Sequence, residues 1–446
     1  MRTETEERDD FPTPAEPRSL RLRPARRWTW LNQLGARLAF GRALPERLGG
    51  GALGVPEFRN FWIGSIVSNV GSWMQFVALS WLILQLTNSA FYLGLIGLVQ
   101  AVPGISITLV GGVLADRLDR RKVLLFTQTT FGLLALILTA LNVAHIIKIW
   151  EILVIAFCSS AVGAIDNPTR QALIPDLVGQ ENIASAVGLN SAAWNGAAVI
   201  GPAVAGVLVA LISTSGAFFL NGLSYFAVVW AVWIMRPRPR RAVSNRSILG
   251  NLVQGLRFMR RDRRVWGLML VMAIATLLGR PYTQLMPIFA QNVLHSGASG
   301  YGVLMGASGV GALVGAILVA PLGNSRRKGF LQLAATGLFG LSLLAFAGSR
   351  WFVVSLAILL IVGLSQTLLM GLTNTLLQLN VPPEMRGRVM SAYTLIPSGI
   401  MPLGAMVLGS IGSVVGVPPT VAVGAVLVLV ATGVASLTLP EVRAMP

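Results

Sequence analysis

One arginine stands where arginines are rarely tolerated. Arg280 lies within Val265–Ala290, a stretch with no other charged side chain. It is about 22 Å along that stretch at the helical rise of about 1.5 Å per residue, past the middle of a segment long enough to cross a bilayer. An arginine at such a depth costs about 3 kcal/mol on insertion scales. Thr276 and Gln284 fall four residues to either side, on the same helical stripe, and Pro281 withholds a backbone N–H beside it. A guanidinium there can attract an anionic group of a ligand. The alternative is a side chain that snorkels to the outer interface or bonds to carbonyls.

Other polar groups recur in apolar surroundings. Asn69 precedes Trp73 by four residues, Asn190 precedes Trp194 by four with Asn195 beside it, and Gln366 lies in Trp351–Thr375. Five of the eleven tryptophans (Trp62, Trp150, Trp233, Trp266, Trp351) fall at the ends of apolar stretches, as an interfacial belt requires, whereas Trp73 and Trp194 fall near the middle. Taken singly, each mid-stretch tryptophan reads as a packing residue. Acids are scarce: Glu151 starts one apolar stretch, Asp116 and Asp166 stand at ends of others, and none is central. Asp166 and Arg170 are four apart, the spacing of a pair on one helix face. One cysteine (Cys158) and two histidines (His145, His295) cannot assemble a metal site without carboxylates. No nucleotide-binding glycine loop or paired acids mark an enzyme, so no catalytic residue, metal or cofactor is expected.

The elements that carry these residues follow from composition. Of 446 residues, 54% are hydrophobic and only 12% charged, with a net charge of +18. Soluble domains carry about 25% charged residues, so the surface cannot be coated for water. Mean hydropathy is +0.70, which excludes a disordered basic protein and leaves no polar surface for nucleic acid. Twelve stretches approach the roughly 20 apolar residues of a membrane helix, from near Phe61 to near Leu439. The fourth is read as Trp150–Asn167, the tenth as Trp351–Thr375 and the eleventh as Val389–Gly412. The expected class is an all-α membrane protein of twelve transmembrane helices in two six-helix bundles. Residues 1–58 form a basic tail, 59–235 the first bundle, 236–264 a basic linker, 265–439 the second bundle and 440–446 a short tail.

Of the 35 Lys and Arg, 32 fall on one side of this arrangement, and only Lys148 and Arg350 on the other. The positive-inside rule then places both termini and the linker in the cytoplasm of a cell-membrane protein. Arg18–Arg47 holds eight arginines, with Trp28, Leu31, Leu34 and Leu38 at helical spacing. It reads equally as a helix lying on anionic lipid or as a disordered basic arm. Ile248, Leu252, Leu256 and Met259 form a similar stripe in the linker.

The halves repeat. Arg120-Arg121-Lys122 recurs as Arg326-Arg327-Lys328, 206 residues later, and Asn167, Gln171 and Pro175 recur as Asn374, Gln378 and Pro382, 207 later. Such duplication marks transporter folds built from repeats.

Three motifs carry a family resemblance. Gly112-Val113-Leu114-Ala115-Asp116-Arg117-Leu118-Asp119-Arg120-Arg121-Lys122 resembles the loop-2/3 signature of the major facilitator superfamily, with Asp119 where most members have glycine. Gly196, Gly201-Pro202 and Gly206 resemble the antiporter signature of the fifth helix, with Ala205 replacing one glycine. Ser68–Gln75 and Asp166–Val178 resemble the transmembrane secretion effector branch, which includes enterobactin exporters. The resemblance is strongest over Glu57–Arg236.

The resemblance implies the major facilitator fold and export of a siderophore, drug or other amphipathic molecule by alternating access, driven by a proton gradient. It makes Gly112, Asp116, Arg117, Arg120, Arg121, Asp166 and Arg170 candidates for a conformational latch on the cytoplasmic side. It turns Asn69, Trp73, Asn190, Trp194, Asn195, Thr276, Arg280, Gln284 and Gln366 toward a central cavity. Pro202 is expected to kink the fifth helix, and Gly196, Gly201 and Gly206 to admit a neighbour. The eighth helix, with Gly302/Gly306 and Gly311/Gly315, is the expected partner. The expected partners of the protein are a small-molecule substrate and anionic lipids, not nucleic acid, and the chain is expected to be a monomer. A transporter-like sensor or scaffold, and a membrane-embedded enzyme, are the competing classes.

Overall fold

A computed structural model describes residues 51–235, 248–323 and 325–445, with side chains throughout except over 108–117 and 248–253. The stripe in Arg18–Arg47 and the first half of the linker lie outside the described residues. Among these residues are twelve helices long and apolar enough to cross a membrane, and no strand. They are α1 (Pro56–Thr87), α2 (Ala90–Arg117), α3 (Arg120–Val143), α4 (Ile149–Val178), α5 (Ile183–Leu211) and α6 (Thr214–Trp233) in the first half. The second half contains α7 (Arg263–Val293), α8 (Gly297–Leu322), α9 (Lys328–Gly348), α10 (Phe352–Asn380), α11 (Pro383–Val415) and α12 (Val417–Thr438). Apolar side chains cover the periphery: Val414 is 84% exposed and Leu437 83% exposed. Only hydrocarbon makes such a surface inexpensive.

Several ends differ from the sequence reading. α4 does not stop at Asn167 but runs through Pro168 and Pro175 to Val178. Its extension buries Leu173, Ile174, Leu177 and Val178 against α1, α3 and α6 residues of the first half, and this packing outweighs the backbone bonds lost at proline. Beside the gap the Thr169 hydroxyl donates to the Ile165 carbonyl at 2.7 Å. α10 likewise extends beyond Thr375 to Asn380, and α11 starts at Pro383 rather than Val389. A separate helix, Ile248–Arg261, packs against the start of α11, with Met259 buried and Leu256 exposed.

The packing follows a pseudo-twofold. In the first half α1 meets α5 and α6, α3 meets α6, and α2 meets α4. Advancing each number by six gives pairs that also pack: α7 with α11 and α12, α9 with α12, and α8 with α10. The halves join through α5 with α8 and α2 with α11, which the same operation exchanges.

Lipid is as apolar as leucine, so these joints depend on close backbone approach rather than on hydrophobic drive. A Cβ on Gly302 would lie 2.5 Å from the Gly206 Cα and 2.6 Å from the Pro202 carbonyl oxygen. A Cβ on Gly201 would lie 2.5 Å from the Trp73 Cβ, so that glycine admits α1 rather than α8. Two expectations are corrected. Gly196 has nothing within 4 Å of its Cβ position and takes no part in packing. Gly311 and Gly315 face the Leu360 and Leu364 carbonyls of α10, because α8 meets α5 along a different face, through Gly302, Gly306 and Gly309.

The two ends of the bundle are packed differently. Away from the basic face, one apolar cluster takes residues from both halves, and every residue from Val77 to Leu84 and from Gln284 to Ala290 is buried. On the basic face there are two clusters, one drawn from Ala52–Met235 and one from Met259–Met445. The molecule is therefore shut at the far end and divided toward the basic face. Substituting Gly302→Val should lower the thermal midpoint of the purified protein by about 5 °C or more, through overpacking at the α5–α8 joint. Gly196→Val, on open space, should leave it within about 1 °C; equal shifts would contradict the assignment of the joint.

Candidate functional site

A cavity of about 390 Å³ lies between the halves. The first half contributes Ser72, Trp73 and Phe76 from α1 and Trp194 and Ala198 from α5. The second contributes Arg280, Tyr282 and Thr283 from α7, Ser308 and its neighbours from α8, Gln366 from α10 and Met401 from α11.

Its aromatic wall is set by the glycine at α5. Gly201 lets α5 close on the Trp73 Cβ, which places the Trp73 ring 5.9 Å from that of Trp194 and 5.9 Å from that of Phe76. Opposite, the Tyr282 and Ser308 hydroxyls share a 2.8 Å hydrogen bond.

Arg280 is aimed by irregular backbone. Ala275–Gly279 is a π-helical turn, in which the Arg280 N–H donates to the Ala275 carbonyl at 3.2 Å, five residues back. Pro281 follows, and the Thr283 hydroxyl donates to the Arg280 carbonyl at 3.1 Å. The wide turn shifts the helical register, and as a result Arg280, Tyr282 and Thr283 all reach the cavity. Gly279 makes room by admitting the Phe339 ring. The Arg280 Nε is buried and has no acceptor among the described residues; the Trp73 Nε1 and the Gln366 Oε1 are likewise without partners. Among the described residues no carboxylate lines the cavity.

The expected lining is only partly brought together. Trp73, Trp194, Arg280 and Gln366 line one cavity. Thr276 does not: it sits inside the π turn, 1% exposed, rotated off the Arg280 stripe that an unbroken helix would give it. Asn69 and Asn190 are also outside the lining, and the Asn195 amide folds back to donate to the Ser191 carbonyl at 2.9 Å. Gln284 lines a separate, smaller chamber. Phe76, Tyr282 and Ser308 were not picked out from sequence. The signal for Tyr282 was the Gly279/Pro281 pair, which announces broken periodicity.

The charged residues near the basic face form a different site. Asp166, 5% exposed, accepts from the Thr127 hydroxyl at 2.6 Å, from the Gln128 amide at 2.7 Å and from the Arg170 Nε at 2.7 Å. Arg170 also donates to the Ser65 hydroxyl at 3.1 Å and lies 5.8 Å over the Phe61 ring. Arg120 pairs with Asp176 and donates to the Ala172 carbonyl at 2.8 Å. Arg121 donates to the Val232 carbonyl at 3.1 Å, while Asp119 caps α3 by accepting from the Arg121 N–H. All these partners belong to α1, α3, α4 and α6. In this structure Arg120, Arg121, Asp166 and Arg170, expected as parts of a conformational latch, tie first-half helices to one another. Of Gly112, Asp116 and Arg117 only the helical backbone is described. At the repeat position of Asp166 the second half has Thr373, which accepts from the Gln332 amide at 3.3 Å, a neutral version of the same node.

Comparison with known proteins gives a consistent picture. A family model described as transmembrane secretion effector matches residues 52–445. The chain is 28% identical to an enterobactin exporter of Shigella boydii, over 80% of this chain and 86% of that protein. It is 24% identical to macrolide efflux protein A of Streptococcus pyogenes, over 81% of this chain and 90% of that one. Among solved structures it superposes, with a TM-score of 0.69 and 15% identity, on a bacterial homologue of the human lysosomal transporter Spinster in an inward-facing, unoccupied state, covering 87% of this chain and 98% of that one.

Removing one member of the buried pair leaves the other charge unmatched, so Arg170→Gln should cost about 3 kcal/mol of stability. The double variant Arg170→Gln/Asp166→Asn should recover more than half of that loss in a thermal melt. A double variant as unstable as the sum of the singles would contradict the pairing.

Proposed function

The chain belongs to the transmembrane secretion effector family of the major facilitator superfamily, and on that premise we propose that it exports a small amphipathic acid across the cytoplasmic membrane. The observation that carries this reading is Arg280, whose buried Nε has no acceptor among the described residues, in a cavity walled by Trp73, Trp194 and Phe76. Holding an arginine in the membrane costs about 3 kcal/mol. A carboxylate about 4 Å away, at an effective dielectric near 20, contributes about 4 kcal/mol of attraction. A bound anion therefore offsets what the protein alone leaves uncompensated, and the rings match the apolar body of the same molecule. The similarity to siderophore and drug exporters supports efflux as the direction.

The transport cycle is alternating access. The two halves, joined by the 236–264 linker, rock about the α5–α8 and α2–α11 joints. With the far end shut and the basic end divided, the described state is the one that loads from the basic face. The skew of 32 of 35 cationic residues supports a cytoplasmic basic face that meets anionic lipid, with the protein working as a monomer. Asp116, at the end of α2, is the residue that latches the cytoplasmic side. A proton gradient drives export, a reading that rests on resemblance because no acid among the described residues lines the cavity.

In proteoliposomes, Arg280→Gln should reduce transport of an acidic cargo by about tenfold or more, the loss of one desolvated charge contact, while transport of its neutral amide changes less than about twofold. Equal loss for both cargoes would contradict an anion-binding role. Wild-type efflux should rise when an inward proton gradient is imposed and fall when it is collapsed; flux indifferent to the gradient would remove proton antiport.

A further inference from the structure

One helical turn beyond Arg280, toward the shut end, lies a second chamber of about 120 Å³ that shares Ser72 and Phe76 with the large cavity. Gln75 and Ser80 of α1, Gln100 of α2, Tyr225 of α6 and Gln284 of α7 supply its polar walls. Gln284 is 7% exposed, and its Oε1 is buried without a partner among the described residues. Its amide nitrogen reaches across the halves, to 3.7 Å from the Cβ position of Gly97 on α2.

Other groups have defined partners. The Ser80 hydroxyl donates to the Phe76 carbonyl at 2.9 Å, and the Ser72 hydroxyl donates to the Ser68 carbonyl at 2.8 Å. Each serine oxygen keeps acceptor capacity, and the Tyr225 hydroxyl approaches that of Ser72 at 3.2 Å. The Gln75 carbonyl accepts from the Asn221 amide at 2.5 Å, which fixes the flip so that its own NH₂ is presented on the other side. Donors and acceptors thus converge, and no charged side chain is among them.

We infer that this chamber is a subsite for a neutral hydrogen-bonding group, a hydroxyl or amide on a small ring, belonging to the ligand whose acid meets Arg280. The inference rests on the reading of the large cavity as the ligand site. At about 120 Å³ the chamber is smaller than the roughly 150 Å³ that holds a whole benzene ring, so it takes the hydroxyl or amide and the adjoining edge of its ring, the rest staying in the large cavity past the shared Ser72 and Phe76. Neutrality follows from the walls: an ionised group there would be desolvated with no counter-charge. Selectivity follows from Gln284, because a buried site built for a hydrogen bond discriminates strongly against a ligand that leaves its polar atom unpaired. The chamber draws on α1, α2 and α6 from one half and α7 from the other, so its occupant engages both bodies at once.

The test is calorimetric titration of the purified full chain with 4′-hydroxybiphenyl-4-carboxylate, biphenyl-4-carboxylate and 4-hydroxybiphenyl. The hydroxy acid should bind about tenfold more tightly than the plain acid, a gain expected of a buried hydrogen bond. In Gln284→Leu the two acids should bind alike and remain tighter than the phenol. If the hydroxyl confers no gain on the wild-type protein, including through lack of binding by both acids, the subsite is overturned. If the phenol matches the hydroxy acid, the Arg280 reading fails instead, so the two failures are distinguishable. The comparison of ligands on the wild-type chain needs no variant to fold.

Discussion

A guanidinium held within the membrane without a counter-charge is the constraint to which the rest of the centre is fitted. Arg280 has no carboxylate beside it, and its Nε finds no acceptor among the described residues. Helical periodicity alone would bury that side chain on the Thr276 stripe. The π turn at Ala275–Gly279 and the proline after it redirect it into the space between the halves. That redirection needs Gly279 to clear Phe339, and it faces a tryptophan wall that exists only because Gly201 lets α5 close on α1. The charge and the glycines are parts of one arrangement: small residues bring the helices close, and irregular backbone uses the space left between them.

The charges near the basic face obey the opposite rule. Asp166 is surrounded by donors, and Arg170 is paired, hydrogen-bonded and stacked on an aromatic ring. Every partner is in the first half, so the network stiffens that half as a body. The second half meets the same packing need with Gln332 and Thr373, which carry no charge. Halves stiffened from within, meeting at joints of glycine against backbone, suit a rocking motion of one body against the other.

Much of this was legible in the sequence. The twelve spans follow from apolar length, and the pseudo-twofold from the recurrence of Arg120-Arg121-Lys122 and of Asn167, Gln171 and Pro175. Arg280 declared itself by depth alone, and Gly206 with Gly302 by spacing. What escaped depended on tertiary packing. α4 continues through two prolines because the residues beyond them are buried, a fact invisible to local propensity. The π turn displaced Thr276 from a stripe that regular geometry assigned to it. Gly311 and Gly315 have the same spacing as Gly302 and Gly306 but face α10, since glycine spacing marks a close contact without naming the neighbour. For the charged residues of the α2–α3 loop and α4, sequence gives spacing along a helix and not which body a partner belongs to; the structure supplies partners within the first half.

The central claim is that Arg280 is held in reserve for an anion. A cryo-electron microscopy map of the protein bound to a bromine-labelled aromatic carboxylate tests it most directly. The account predicts the carboxylate oxygens about 3 Å from the Arg280 guanidinium, with the ring between Trp73 and Trp194. An acid group placed elsewhere, with Arg280 turned to a backbone carbonyl, would contradict it.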